Sequence, residues 1–181
     1  MLDLRRFFTR LISAVQQQWR AAGGRYRVTP LQPLYVGEDV PGNDIFDGSY
    51  VTYLSEAGRQ LHAPTFFSGR ICDAYGNLFD TTDAESLHTG FGRAIFVMDA
   101  DGNFYASKEQ TYGKFHHSSL VAGGPVAAAG EIEVIGGVLT ALSDRSGHYM
   151  PRQSFTDQAI DQLKKKNISF QGVKLDLIGR P

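Results

Sequence analysis

Apolar side chains recur at steps of three and four at the start of the chain, where Leu4, Phe7, Phe8, Leu11, Ile12, Val15 and Trp19 form one stripe. Arg5, Arg6, Arg10 and Gln16 to Gln18 fill the positions between them, so the period predicts an amphipathic basic helix that Gly23 and Gly24 stop. Residues 29 to 65 have no period. Pro30, Pro33, Pro41 and Pro64, with PGND and FDGSY, predict a surface connection carrying short extended pieces. From Thr65 the pattern turns to β. DAYGNLF at 73 to 79 and DADGNFY at 99 to 105 repeat one another after the apolar runs FSGRICD and RAIFVMD, predicting hairpins that turn at 74–77 and 100–103. Between them TTDAESLHTGFG predicts a capped helical turn and a glycine loop. AAAGEIEVIGGVLTALSD predicts a third hairpin, turning at Gly136 and Gly137. Ser154 with Asp157 then caps a helix whose stripe is Phe155, Ala159, Ile160 and Leu163. Lys164 to Lys166 lie at its negative end, Asn167 ends it, and GVKLDLIG predicts a last strand with Val173, Leu175 and Leu177 inward. The class is α+β: an antiparallel sheet built from consecutive hairpins, with an N-terminal amphipathic helix and a C-terminal helix.

With 181 residues and 42% hydrophobic content the chain can bury one sizeable core. The expected division is a docking segment at 1–28 and a single domain at 29–181. A formal charge of −1 provides no global attraction to nucleic acid. No apolar run approaches the ~20 residues of a membrane span, and arginines interrupt the N-terminal stripe, which argues against a secretory signal. A soluble chain is expected, cytoplasmic or delivered into the cytosol of a target cell. The single cysteine, Cys72, excludes an internal disulfide and a cysteine-rich zinc site and is expected as a buried small hydrophobe.

Candidate chemistry concentrates in FHHSSLV at 115–121, GEIEV at 130–134 and SDRSGHYMP at 143–151. Read as a strand, the first puts His116 and Ser118 on one face and His117 and Ser119 on the other, and the second puts Glu131 and Glu133 together. A zinc site on His116, His117 and His148 would need ligands converging from one side, whereas adjacent strand histidines diverge. A serine nucleophile with His148 as base and Asp144 as its orienting carboxylate has the residue types without a nucleophile elbow. ADP-ribosyl transfer uses an arginine on one strand, a serine ending another and a glutamate for the ribose hydroxyl. Arg93, Ser118 or Ser119, and Glu131 or Glu133 occur in that order, and NAD would be the co-substrate. Tyr149, beside His148, either lines a cleft shared with the HHSS stretch or bonds within the core. DADGN has the look of a calcium loop, but the twelfth position holds Gln110 where an EF-hand requires glutamate.

VQQQWRAAGGRYRV sets Val15, Gln16, Arg20, Arg25 and Val28 at the offsets of an IQ motif, with Trp19 on the same stripe and Ala21 in place of the usual glycine. Together with HHSSLVAGG, AAGEIEV, GGVL, SGHYMP and NISFQGVK, this resembles the C-terminal domain of the plant IQ-motif calmodulin-binding proteins, and bacterial effector and polymorphic-toxin domains with the same core. The plant resemblance implies a calmodulin-linked signalling module that binds calmodulin or another acidic protein through Val15, Gln16, Trp19, Arg20 and Arg25. The bacterial resemblance implies a delivered effector or toxin domain acting on a macromolecular target.

Overall fold

A computed structural model describes residues 24–179, so the N-terminal helix expected over residues 4–19 lies outside the described residues. The described chain is α+β. Nine strands run in order: β1 (Thr65–Phe67), β2 (Arg70–Cys72), β3 (Glu85–Ser86), β4 (Gly90–Phe91), β5 (Ala94–Met98), β6 (Phe104–Ser107), β7 (Ala128–Ile135), β8 (Val138–Ser143) and β9 (Lys174–Asp176). Two α-helices join them, α1 (Glu56–Gln60) and α2 (Gln153–Lys165).

The main sheet has the order β6-β5-β7-β8-β9. All its pairs are antiparallel except β8–β9. That exception corrects the expectation of hairpins throughout: a parallel neighbour needs a long return, which α2 and residues 166–173 supply. Of the three residues expected inward, Val173 packs on the core, but Leu175 is 47% exposed while Asp176 turns in towards arginines.

The turns form where expected, for a local reason. Asp99 Oδ1 accepts the backbone N–H groups of Asp101 and Asn103 at 2.9 Å each, and its second oxygen accepts from the Asn103 side chain at 2.9 Å. Asp73 repeats this with Tyr75 and Asn77. Both are aspartate turns that need no distant partner. Gly136 and Gly137, at φ +54° and +79°, close β7–β8. Ser68 and Gly69, both at positive φ, make a further two-residue turn between β1 and β2. The 81–92 stretch forms the short pair β3–β4 and not the expected helical turn.

The sheet is covered on both sides. Ala94, Phe96 and Met98 join Ile132, Val134, Leu142 and, from α2, Ala159 and Leu163 in one core. Ile95, Val97 and Ala129 face the other way and meet Leu31, Leu120, Val126 and Tyr149. A strand apolar without alternation, AIFVM, is what two covered faces require. α2 begins after Pro151 at Gln153, so the cap position is Arg152, whose side chain makes no capping bond, and not Ser154. Asn167, at φ +62°, ends it as expected. Cys72 is buried.

Candidate functional site

The second face of the sheet carries the polar residues. HHSSLV is not a strand: His117–Val121 form one 3₁₀ turn. Serine hydroxyls near their own backbone compete with strand pairing, and here the Ser119 hydroxyl accepts the His116 N–H at 3.0 Å while the Ser119 N–H bonds the His116 carbonyl at 3.0 Å. Ala122 in the left-handed region, then Gly123-Gly124-Pro125, stop the turn. Three residues per turn replaces the two-residue alternation, so His116 keeps company with Ser119 and not with Ser118.

The HHSS turn and the SGHY corner do meet, through rings. The His116 and His148 rings stack with centroids 4.3 Å apart and 27° between planes. Tyr35 lies on His148 at 4.0 Å, and Phe46 lies 5.4 Å from His116. His148 Nε2 pairs with a Glu38 carboxyl oxygen at 2.9 Å, and the other oxygen accepts the Tyr53 hydroxyl at 3.2 Å. Gly123 makes room for Tyr53, because a Cβ there would stand 2.6 Å from its hydroxyl. Tyr149 is fully buried and donates to the Gly124 carbonyl at 2.7 Å.

His116 accepts the Gly113 N–H at Nε2, 2.9 Å, and His117 Nε2 donates to the Gly130 carbonyl, 2.9 Å. Burial pushes both rings down to about 3, with the charges of His148 and His88 adding in each case. Burial also raises the Tyr53 hydroxyl, helped by the charges of Glu38 and Asp39. Each of these histidines uses Nε2 on the backbone, and among the described residues no group of three or more His, Cys, Asp or Glu side chains could hold a metal ion.

Glu131 lies opposite Ile95 in the β5–β7 register and therefore on the histidine face, fully buried. Thr89 donates its hydroxyl to Glu131 Oε2. A bulge follows at Glu133/Val134, and Glu133 is half-buried, its Oε1 accepting the Thr140 hydroxyl at 2.7 Å. Arg93 is 3.9 Å from each of Glu131 and Glu133, but its close bond is to Asp176 at 2.9 Å. Arg145 binds Asp176 as well, and the two guanidiniums hold that carboxyl down at about 2. Arg93 is thus engaged by a structural ion pair. Asp144, offered as the carboxylate orienting His148, instead accepts the Ile178 N–H at 2.8 Å, and Glu38 takes that place.

Chemically, the arrangement is closed. His116, His117, Ser118, Ser119, Glu131, His148 and Tyr149 are each at most 5% exposed. A cavity of about 420 Å³ between Phe66, Phe104, Asn103, Gln60 and Lys166 includes none of them.

Sequence reasoning missed Glu38, Tyr35, Phe46, Tyr53 and His88, four of them in the stretch read as connection. A usable signal was present: Leu31, Tyr35, Phe46, Val51 and Tyr53 are too many large apolar residues for a surface loop. Glu38→Gln keeps the volume but cannot satisfy both His148 and Tyr53 as before. A loss of about 1–3 kcal/mol in urea unfolding at pH 7 is expected. A change within error would remove Glu38 from the network.

Residues 61–155, from the end of α1 into α2, match the family model described as the IQ motif-containing protein middle domain. The chain belongs to that family. Among its relatives in Arabidopsis thaliana, the IQ domain-containing protein IQM3 is 32% identical over 129 residues, covering 69% of this chain and 26% of that protein. IQM4 is 33% identical over 124 residues, 68% of this chain and 22% of IQM4. IQM2 is 29% identical over 126 residues, 69% and 20% respectively. The chain therefore spans about a quarter or less of the length of these relatives. No solved structure matches. The match takes in the whole histidine-bearing layer except what residues 31–54 contribute. No described helix is long and apolar enough to cross a membrane.

Proposed function

We propose that this chain is a non-enzymatic signalling module that binds calmodulin or a calmodulin-like acidic protein through its IQ-like run, with residues 1–28 as the docking segment and 29–181 as the domain that carries it. The observation that carries this reading is membership of a family whose relatives are named for an IQ domain, in a chain that has IQ offsets at Val15, Gln16, Arg20, Arg25 and Val28. A basic amphipathic helix is the form such partners read, its apolar stripe in a groove and its arginines against acidic rims.

The closed polar layer supports the module reading. A reaction centre needs its groups at a cleft, and here His116, His117, Ser118, Ser119, Glu131, His148 and Tyr149 are core. The effector, toxin and ADP-ribosyl-transfer readings draw support neither from the relatives nor from the geometry, in which Arg93 is bonded to Asp176 and Ser119 to the His116 backbone.

Trp19 is the only tryptophan, so its fluorescence reports on the run directly. Titrating the 181-residue chain with calmodulin, with calcium and with chelator, is expected to produce a saturable Trp19 change in one condition at least. A flat signal up to tens of micromolar for both the chain and a peptide of residues 1–30 would sink the proposal.

A further inference from the structure

We infer that the closing residues of the IQ-like run, Gly24 to Val28, form a latch held by the domain itself, so that the domain and a helix-reading partner compete for the same backbone. The inference rests on the proposal that the run is a partner site, and it adds how that site is regulated.

Residues 24–28 are not helical, and they are bound. The Tyr26 N–H donates to the Ala100 carbonyl at 3.0 Å, and the Tyr26 hydroxyl donates to Gln162 Oε1 at 2.7 Å. The Gln158 side chain satisfies both backbone groups of Arg27, accepting its N–H and donating to its carbonyl, each at 3.0 Å. Thr29 and Val126 then exchange two backbone bonds, at 2.8 and 3.0 Å. Val28 packs on the core beneath α2, and the Lys165 ammonium lies 5.5 Å from the Tyr26 ring centre. Gly24 runs so close to the turn after β5 that a Cβ would stand 2.7 Å from that of Ala100.

An IQ helix continued to Val28 would direct the Tyr26 N–H to the Ala22 carbonyl and the Arg27 N–H to the Gly23 carbonyl. Those are the donors now bonded to Ala100 and Gln158. One N–H cannot serve both, so the full-length helix and the latched conformation exclude each other. Gly23 and Gly24 also make the helix costly to extend, which favours the latched form until a partner repays it. A partner that needs all fourteen residues, Val15 to Val28, then binds only the unlatched fraction, and its apparent affinity falls by that fraction.

The test compares the peptide of residues 1–30 with the whole chain, both titrated with calmodulin under the calcium condition in which the peptide binds. The peptide is expected to bind at least about ten-fold more tightly, because it has no domain to compete. Gln158→Ala lies outside the run and is expected to bring the chain several-fold towards the peptide. Amide hydrogen exchange at Tyr26 and Arg27 in the whole chain is expected to change when calmodulin is added, as their bonds to Ala100 and Gln158 are given up. Equal affinities for chain and peptide, or amide protection at Tyr26 and Arg27 unchanged in the complex, overturn the latch and leave the binding site upstream of Gly23. A chain that binds where the peptide does not also overturns the latch, whereas binding by neither ends the partner reading itself, and the latch with it.

Discussion

Gly130→Ala is expected to abolish the folded state. Gly130 lies in the middle of β7, opposite Phe96 on β5, and a Cβ on it would stand 1.9 Å from the Ser143 carbonyl oxygen and 2.8 Å from the carbonyl carbon. The obstacle is backbone of the neighbouring strand and not a side chain that could rotate away. Separating β7 from Ser143 would also break the bond that the Glu131 N–H donates to the Ser143 hydroxyl oxygen, 3.1 Å, and disturb the Gly130 carbonyl that His117 uses. A loss above about 4 kcal/mol is expected, most of the stability of a domain this size. Gly147→Ala is the control, because a Cβ there meets nothing nearer than 3.8 Å and should change stability by less than about 1 kcal/mol. The check is far-ultraviolet circular dichroism with urea unfolding of both variants. Cooperative unfolding of Gly130→Ala at nearly the parent midpoint would mean that β7 and β8 are not packed as described.

Acid is expected to weaken the domain well above the range where carboxylates titrate. His116 and His117 are held near 3 in the fold and return to about 6.5 on unfolding, so between those values the unfolded chain binds the extra protons. The sign follows: the stabilisation is present above about pH 6.5 and is lost as pH falls towards 3. From pH 7 to pH 5 each histidine contributes a loss of up to about 2 kcal/mol, about 4 for the pair. Asp176, held near 2 by its arginines, contributes stability that is lost only as pH falls from about 4 towards 2. Urea unfolding at pH 7, 6 and 5 measures the slope. His117→Gln removes one titrating ring while leaving an amide N–H for the Gly130 carbonyl, and is expected to roughly halve the slope. Stability that stays level between pH 7 and 5 would contradict the buried, neutral histidines.

How much of this was legible in the sequence depends on the range of the forces involved. The turns at 73–77 and 99–103 were readable because Asp73 and Asp99 bond backbone groups two and four residues on. The third hairpin was readable from Gly136 and Gly137. The HHSS stretch departs from its β propensity for an equally local reason, since the Ser119 hydroxyl bonds the His116 N–H and rewards a 3₁₀ turn. Glu38 could not be assigned from its neighbours, because its partner His148 is 110 residues away. Meeting of the two polar islands was foreseeable, since buried polar groups seek partners, but stacked rings were not the expected contact. Leu175 was placed inward by alternation alone, whereas the pull of Arg93 and Arg145 on Asp176 sets the face of β9.

We propose that function resides in the IQ-like run, beside a histidine layer that is core. Calmodulin affinity of the Arg20→Glu, Arg25→Glu double variant of the whole chain, against the parent chain, tests it most directly. Both arginines lie at motif offsets, and Arg25 is exposed in the described structure, so the fold should persist and circular dichroism should not change. A loss of affinity of about a hundred-fold or more is expected, from two reversed charges at an acidic partner. Equal affinity for the folded double variant and its parent would contradict it, and would move recognition away from the run.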